Sequence, residues 1–434
     1  MPGMQDNTTL RVYLDNAATT YPKPPEVIRA AGGALSEPPQ FHRSGRGGDP
    51  IEHCRALVAR LFGMSDSRRV ILTPSATFGL NAVIHGTLRP QSGHAIATVL
   101  EHNSVLRPLL HWQRDCGGIV GFLEPDPNGR VSADTVRACL RRDTRLIAIT
   151  HASNVTGWVQ PVEAIAEIAA ARGIPLLIDA AQSAGVLPLR VDALPGRVFV
   201  AACGHKALYG PAGTGLLIVP DADMAPLIQG GTDRNSASAY QPADLPLLYE
   251  SGTPNLPGIA GLAAGVEFVL EKGVSHRGAH RAKLILALRK ELAQIEGVWL
   301  PELREEDAAA GILSFTAAGL DPGEIGLVLQ EVFQIEARTG LHNAPLIHRA
   351  LGSAPNGTVR VSVGAFNSRE EIEYVAQALR SLLSDDARHR NPAIEKLLGT
   401  VSQQETETRK AADGSTHATH DSPGLSEFSP GVRT

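Results

Sequence analysis

Short apolar runs of strand length recur along the first half of the chain. Val70–Leu72, Ala95–Leu100, Leu146–Thr150, Leu176–Ile178, Val198–Ala202 and Leu216–Val219 predict buried strands. Segments of helical period lie between them. Val162–Arg172, for example, places Val162, Ile165, Ile168 and Ala169 on one face. Alternation of this kind predicts an α/β fold with a mainly parallel sheet and helices on both faces. In such sheets ligands sit beyond the carboxyl ends of the strands.

The texture changes near Asn255. Helical patterns over Ile259–Glu271 and His276–Ile295 are followed by strand candidates Gly311–Phe315 and Thr358–Ser362 and a helix over Ser368–Leu383. Ser368 followed by Glu371 predicts a capping box. The pattern therefore divides into an N-terminal arm (1–12), a large domain (13–255), a smaller C-terminal α+β domain (256–384) that the N-terminal segment can contact, and a tail (385–434). From Gln403 to Thr434 the only large apolar residues are Leu425, Phe428 and Val432, so this stretch is expected to be disordered.

A length of 434 residues makes two domains the natural expectation. A net charge of −5 with 4% aromatic residues lacks the basic face and stacking platforms of a nucleic-acid binder. No apolar stretch reaches the length of a membrane span, and Met1–Leu10 lacks the basic-then-apolar pattern of a signal peptide. Cys54, Cys116, Cys139 and Cys203 are scattered, which suits a reducing compartment and provides no metal-binding spacing. A cytoplasmic protein is expected.

Two polar residues at strand ends carry the chemistry. Asp179 closes the run LLID, and Lys206 follows VFVAAC within GHKALYGPAGTG. Taken alone, Asp179 is equally a helix N-cap and Lys206 a surface lysine. Together they meet the needs of pyridoxal phosphate, a lysine for covalent attachment and an anion beside the ring nitrogen. Thr73–Thr77 lies between a strand and a helix, where a phosphate can meet a helix N-terminus. His102, in LEHNS, stands at the same sheet edge and offers a ring to stack on the cofactor.

At this point the chain resembles a known family. The stretches YLDNAATTYPKP, LTPSATFGLN, LEHNS, HASNVTGW, IDAAQSAG, GHKALYGPAGTG, ESGTPN, ARTGLHNAP and VRVSVGAFNS resemble the class V aminotransferases, and among them the cysteine desulfurases and selenocysteine lyases. They run in the family's order over about residues 13 to 383. The resemblance implies the fold type I architecture of pyridoxal-phosphate enzymes and an amino-acid substrate. It implies Lys206 as the attachment point, Asp179 at the ring nitrogen, Gln182 on the ring-hydroxyl side and His102 on the ring face, where it can assist proton transfer. It also implies Ala76, Thr77 and His205 at the phosphate, and Cys203 where relatives carry a small hydroxyl. Thr253 is implied to reach the site from a partner subunit, hence a homodimer, and Asn154 and Arg360 to bind the substrate carboxylate.

One position departs from the pattern. Cysteine desulfurases place their catalytic cysteine in the loop that here reads Arg338-Thr339-Gly340-Leu341-His342-Asn343-Ala344-Pro345, at the position of Asn343. A carboxamide can hydrogen-bond to substrate but cannot attack sulfur or carry a persulfide. The sequence reading is therefore a C–S lyase that releases a thiol, pyruvate and ammonia from cysteine or an S-substituted cysteine. Desulfuration with an external thiol, a transaminase, epimerase or oxidative variant, and a non-catalytic cofactor-binding partner remain as alternatives.

Overall fold

The computed structural model describes residues 11–38, 49–232, 237–383 and 392–399. After a short β1 (Val12–Tyr13) come β2 (Val70–Thr73), β3 (His94–Thr98), β4 (Ile119–Leu123), β5 (Thr144–Thr150), β6 (Leu176–Asp179), β7 (Val198–Cys203) and β8 (Gly215–Ile218). The last seven form one sheet in the order β2-β8-β7-β6-β5-β3-β4. The pairs from β7 across to β4 are parallel, and β8 alone runs antiparallel to both its neighbours. The other strands therefore end at one edge of the sheet.

Period-two alternation explains why this sheet is covered on both sides. Ile147, Ile178 and Val200 face one core with Val162, Ile165 and Ile168 of the helix Val162–Ala171. Ala148, Leu177 and Phe199, one residue out of phase, face the other core with Leu80, Val83, Leu109 and Trp112. Those last four come from the helices Ala76–Leu88 and Asn103–Cys116. The sequence pattern missed β4 because it is half-exposed over most of its length and has no continuous apolar run.

A second core lies beyond. β9 (Val298–Trp299), β10 (Ile312–Ala317), β11 (Ile335–Glu336), β12 (Arg338–Gly340) and β13 (Thr358–Ser362) follow in the chain. Four of them make an antiparallel sheet in the order β12-β13-β10-β9. β11 pairs with β1 in parallel, so Val12 and Leu14 are buried in this second core. The helices Val274–Leu292, Pro322–Phe333 and Arg369–Leu383 cover it. The capping box is present, with Glu371 N donating to Ser368 Oγ at 3.2 Å and Ser368 N to Glu371 Oε2 at 2.9 Å.

Two boundary expectations are corrected. The helix Leu256–Lys272, assigned from the sequence to the smaller domain, buries Leu256, Ile259, Leu262 and Val266 in the first core. Its apolar residues surround much of the helix, so the pattern did not reveal which sheet it covers. Residues 392–399 are helical and place Ile394 fully in the second core, although the sequence reads there as featureless tail. A single buried isoleucine in a short segment is too sparse a signal for periodicity to register. The stretch Gln403–Thr434 lies outside the described residues.

Candidate active site

The floor of the site is built from strand ends. β2 leads into Ser75, whose hydroxyl caps the helix Ala76–Leu88 by accepting from Phe78 N at 3.1 Å. The first amides of that helix are an anion-binding end. Gly215 packs directly beneath the turn. A Cβ there would stand 2.5 Å from the Ser75 carbonyl carbon and 2.9 Å from Ala76 N, so only glycine lets β8 approach so closely. Cys203 pairs with Gly215 across β7 and β8. Burial pushes its thiol up, against the Lys206 ammonium and the Ala76 amide that draw it down. It therefore sits in this cradle as a neutral thiol.

Asp179 ends β6 as a buried carboxylate. Its Oδ1 accepts from Ala181 N at 2.9 Å, and Oδ2 has no protein donor among the described residues. Residues 181–186 form a turn, so the helix that a capping role requires is absent. Burial raises the Asp179 carboxyl, while the Ala181 amide and the Lys206 ammonium lower it. Lys206 acts electrostatically on Asp179, His102, Cys203 and His205 together, so these residues surround one cation.

Gln182 is also buried here, and its Nε2 donates to Ala17 O at 3.0 Å. The His205 carbonyl gathers Thr20 N at 3.1 Å, Thr19 Oγ1 at 3.1 Å and Lys23 Nζ at 2.8 Å, which ties the N-terminal segment to the lysine loop. Burial, then Lys206 and Lys23, lowers the His205 imidazole to about 4, and burial lowers the Lys23 amine to about 8.

His102 opens the helix Asn103–Cys116, its Nδ1 accepting from Ser104 N at 3.1 Å. That bond leaves the ring proton on Nε2. Burial comes first in lowering its pKa to about 4, followed by the positive charges of Lys206, Arg338, Arg360 and Arg107. The ring is therefore neutral near pH 7. Ser104 Oγ bonds in turn to Thr77 Oγ1 at 2.8 Å, linking His102 to the anion-binding turn.

Glu101, just before it, is fully buried. Its Oε1 accepts from Thr98 Oγ1 at 2.6 Å and from Thr150 N at 3.0 Å, while Oε2 has no partner among the described residues. Desolvation pushes this carboxyl up to about 8.

Arg360 points from β13 into the same region. It is 2% exposed, donating to Asp15 Oδ1 at 2.7 Å and to the Asn154 carbonyl at 3.0 Å, and its buried Nε has no partner among the described residues. Arg338 lies directly across from it in the β12–β13 register. Asn154 Nδ2 donates to His342 O at 2.8 Å, and Asn343 O accepts from Asn103 N at 2.7 Å. The loop carrying Asn343 is thus tied to both the His102 helix and the Arg360 neighbourhood. Gly340, His342 and Asn343 all have positive φ, a conformation that asparagine tolerates better than most residues. Asn343 is exposed at the rim. Thr253 is also exposed, and lines a cavity of about 350 Å³ with Pro74 and Gly215 of the same chain.

Ala76, Thr77, His102, Asp179, Cys203, His205 and Lys206 thus come together, and Arg360, Asn154 and Asn343 border them. Sequence reasoning gave no role to Asp15, Lys23, Glu101 or Arg338. Asp15 and Lys23 lie inside the quoted YLDNAATTYPKP, but their partners are distant in the chain.

These residues fit pyridoxal phosphate. A buried carboxylate with one oxygen lacking a donor suits a ring N–H, Lys206 offers the amine, and the capped helix end suits a phosphate. The architecture and the site define a pyridoxal-phosphate-dependent enzyme of fold type I. The family model for aminotransferase class-V matches residues 12–375, and the chain belongs to that family. A probable cysteine desulfurase of Methanothermobacter thermautotrophicus is 32% identical over 387 residues, 86% of this chain and 94% of the relative. The cysteine desulfurase of Salmonella agona is 30% identical over 388 residues, 85% of this chain and 92% of the relative. Among solved structures, the cysteine desulfurase CsdA of Escherichia coli superposes with a TM-score of 0.78 at 28% identity, covering 87% of this chain and 95% of that one. The apo cysteine desulfurase of Thermococcus onnurineus gives 0.78 at 29% identity, covering 86% and 94%. Among the described residues no helix is long and apolar enough to cross a membrane.

Proposed function

We propose that this chain is a C–S lyase that converts cysteine or an S-substituted cysteine, with water, into a thiol, pyruvate and ammonia. The observation that carries the reading is residue 343. The loop is ordered against Asn103 and Asn154, yet it presents a carboxamide where the resembling desulfurases present a thiol. The four cysteines are unpaired and lie outside this loop, and Cys54 and Cys203 are buried. Burial pushes the Cys54 thiol up to about 12.

Bound pyridoxal phosphate supplies the electron sink that makes the substrate Cα proton acidic. The remaining work falls to the chain's own residues. Arg360, held by Asp15, binds the substrate carboxylate, and Asn154 helps fix its orientation. Asp179 would hold the ring nitrogen and favour its protonated form. Lys206 takes the Cα proton onto Nζ. The electrons of that C–H bond form the Cα–Cβ double bond as the Cβ–S bond breaks and sulfur leaves with its pair. His102 would offer its ring to the cofactor's face, and its Nε2–H can hydrogen-bond the departing sulfur. Water then completes the conversion to pyruvate and ammonia. No enzyme thiol takes part. The protein acts as a cytoplasmic homodimer in which Thr253 reaches the partner's phosphate site.

The test is a panel of L-cysteine and S-conjugated cysteines with pyruvate, alanine and sulfide measured together. Pyruvate equimolar with released thiol is expected. Alanine with sulfane sulfur as the main products would replace this reading with desulfuration.

A further inference from the structure

The helices Ala76–Leu88 and Asn103–Cys116 lie side by side, and a groove between them starts at His102 and Asn343. Its cavity measures about 410 Å³. Thr77, Asn81 and His85 stand on one wall, and Arg107 and His111 on the other. From Thr77 to His85 the groove runs roughly 12 Å along the helix axis, at 1.5 Å per residue. Thr77 and His102, which the cofactor site shares, line one end of it, and Asn81, His85, Arg107 and His111 continue the lining along the two helices beyond them.

The lining has a distinct chemistry. Among the described residues it contains no carboxylate, and Pro108 is the only one lining it without a polar side-chain group. The nearest acid on these walls, Asp115, is already engaged by Arg89 at 3.2 Å, Arg114 at 2.9 Å and His111 at 3.2 Å. His111 is held there through Nε2, with its Nδ1 against Arg114 at 2.7 Å. Asn81 donates to Thr77 O at 2.9 Å, which leaves its carbonyl oxygen for the groove. The Nδ1 of His85 is buried without a partner among the described residues. Arg107 is exposed and makes no hydrogen bond or ion pair among the described residues, yet its charge reaches His102. An unpaired guanidinium in a polar groove that His102 and Asn343 also line is a recognition element for an anion.

We propose that this groove is the leaving-group subsite and accepts an S-substituent that ends in a carboxylate a few carbon atoms beyond the sulfur. Arg107 binds that carboxylate. The amides of Asn103 and Asn343 flank the spacer at the groove mouth. This assignment rests on the C–S lyase reading and names its substrate class.

The experiment uses the holoenzyme and three matched probes, S-(3-carboxypropyl)-L-cysteine, the corresponding carboxamide, and S-pentyl-L-cysteine. Affinity is read from the change in the cofactor's visible spectrum, and pyruvate release is followed separately. The carboxylate probe should bind about tenfold more tightly than the other two, the scale of one charge-assisted hydrogen bond. Arg107→Ala should bring that ratio close to one, and Arg107→Lys should retain part of it. Equal affinity for all three probes, or a preference that survives Arg107→Ala, overturns the subsite. The two readings fail separately. An Arg107-dependent preference without pyruvate upholds the anion site and sinks the lyase reading. Pyruvate released from all three probes with equal affinities does the reverse.

Discussion

The floor and the rim of the site are built on different terms. The floor is made where parallel strands end. Asp179 is held by its register opposite Ala201, and Cys203 by its register opposite Gly215. Each is fixed by backbone pairing and by burial on both faces, so a change there disturbs the sheet as well as the chemistry. The rim is the loop from β12 to Pro345, whose positive-φ residues are held by a few hydrogen bonds, Asn154 to His342 and Asn103 to Asn343 among them. Its exposed residue 343 can change identity without moving anything in the core. On the proposed function, cofactor chemistry belongs to the floor and the fate of the substrate sulfur to the rim.

The largest effect should come from breaking the floor. Lys206→Ala should lower turnover by about a thousandfold or more, since it removes both cofactor attachment and the base. The visible absorbance of the attached cofactor should disappear while the circular dichroism of the fold is retained. A borohydride-reducible link to another lysine would move the assignment.

Arg360→Lys comes next. It keeps the buried charge beside Asp15 but loses the planar fork. KM should rise roughly tenfold to a hundredfold with a smaller change in kcat, the signature of lost ground-state binding. An unchanged KM would place the substrate carboxylate elsewhere, with Arg338, directly across the β12–β13 pair, the next residue to test.

How much of this could be read from the chain follows the same division. Asp179 was legible because a polar residue closing an apolar strand is a local signal, and Lys206 because it lies in the short loop just after the next such strand. The Ser368–Glu371 cap was legible for the same reason, since both partners lie within one turn. The Asp15–Arg360 pair was not, because its members are 345 residues apart in sequence. β1 was missed because its two residues acquire strand character only by pairing with β11. Glu101 carries no motif of its own, and its state depends on burial that only the packed sheet creates. Asn343 was visible only against a family pattern, since an asparagine in a loop has no local meaning.

Glu101→Gln gives a smaller effect with a definite sign. The folded carboxyl is raised from 4.5 to about 8, so the native state binds more protons than the unfolded chain across that window. Its contribution to stability is complete below 4.5 and is lost as the pH rises through about 8. Glutamine mimics the protonated acid and retains an oxygen for Thr98 and Thr150. The variant's thermal midpoint should therefore decline less than wild type between pH 5 and pH 8, with the two proteins closest at the acid end. Parallel curves would mean that Glu101 ionises as easily in the fold as outside it.

The most direct test of the division is a mass measurement of the wild-type holoenzyme and of Asn343→Cys during turnover of L-cysteine. A thiol at position 343 would stand on an exposed rim beside His342, and the variant is expected to carry a persulfide there and to form some alanine. The wild-type protein should carry no persulfide on Cys54, Cys116, Cys139 or Cys203, and its carbon product should be pyruvate. A persulfide on any wild-type cysteine, with alanine as the main product, would contradict the account.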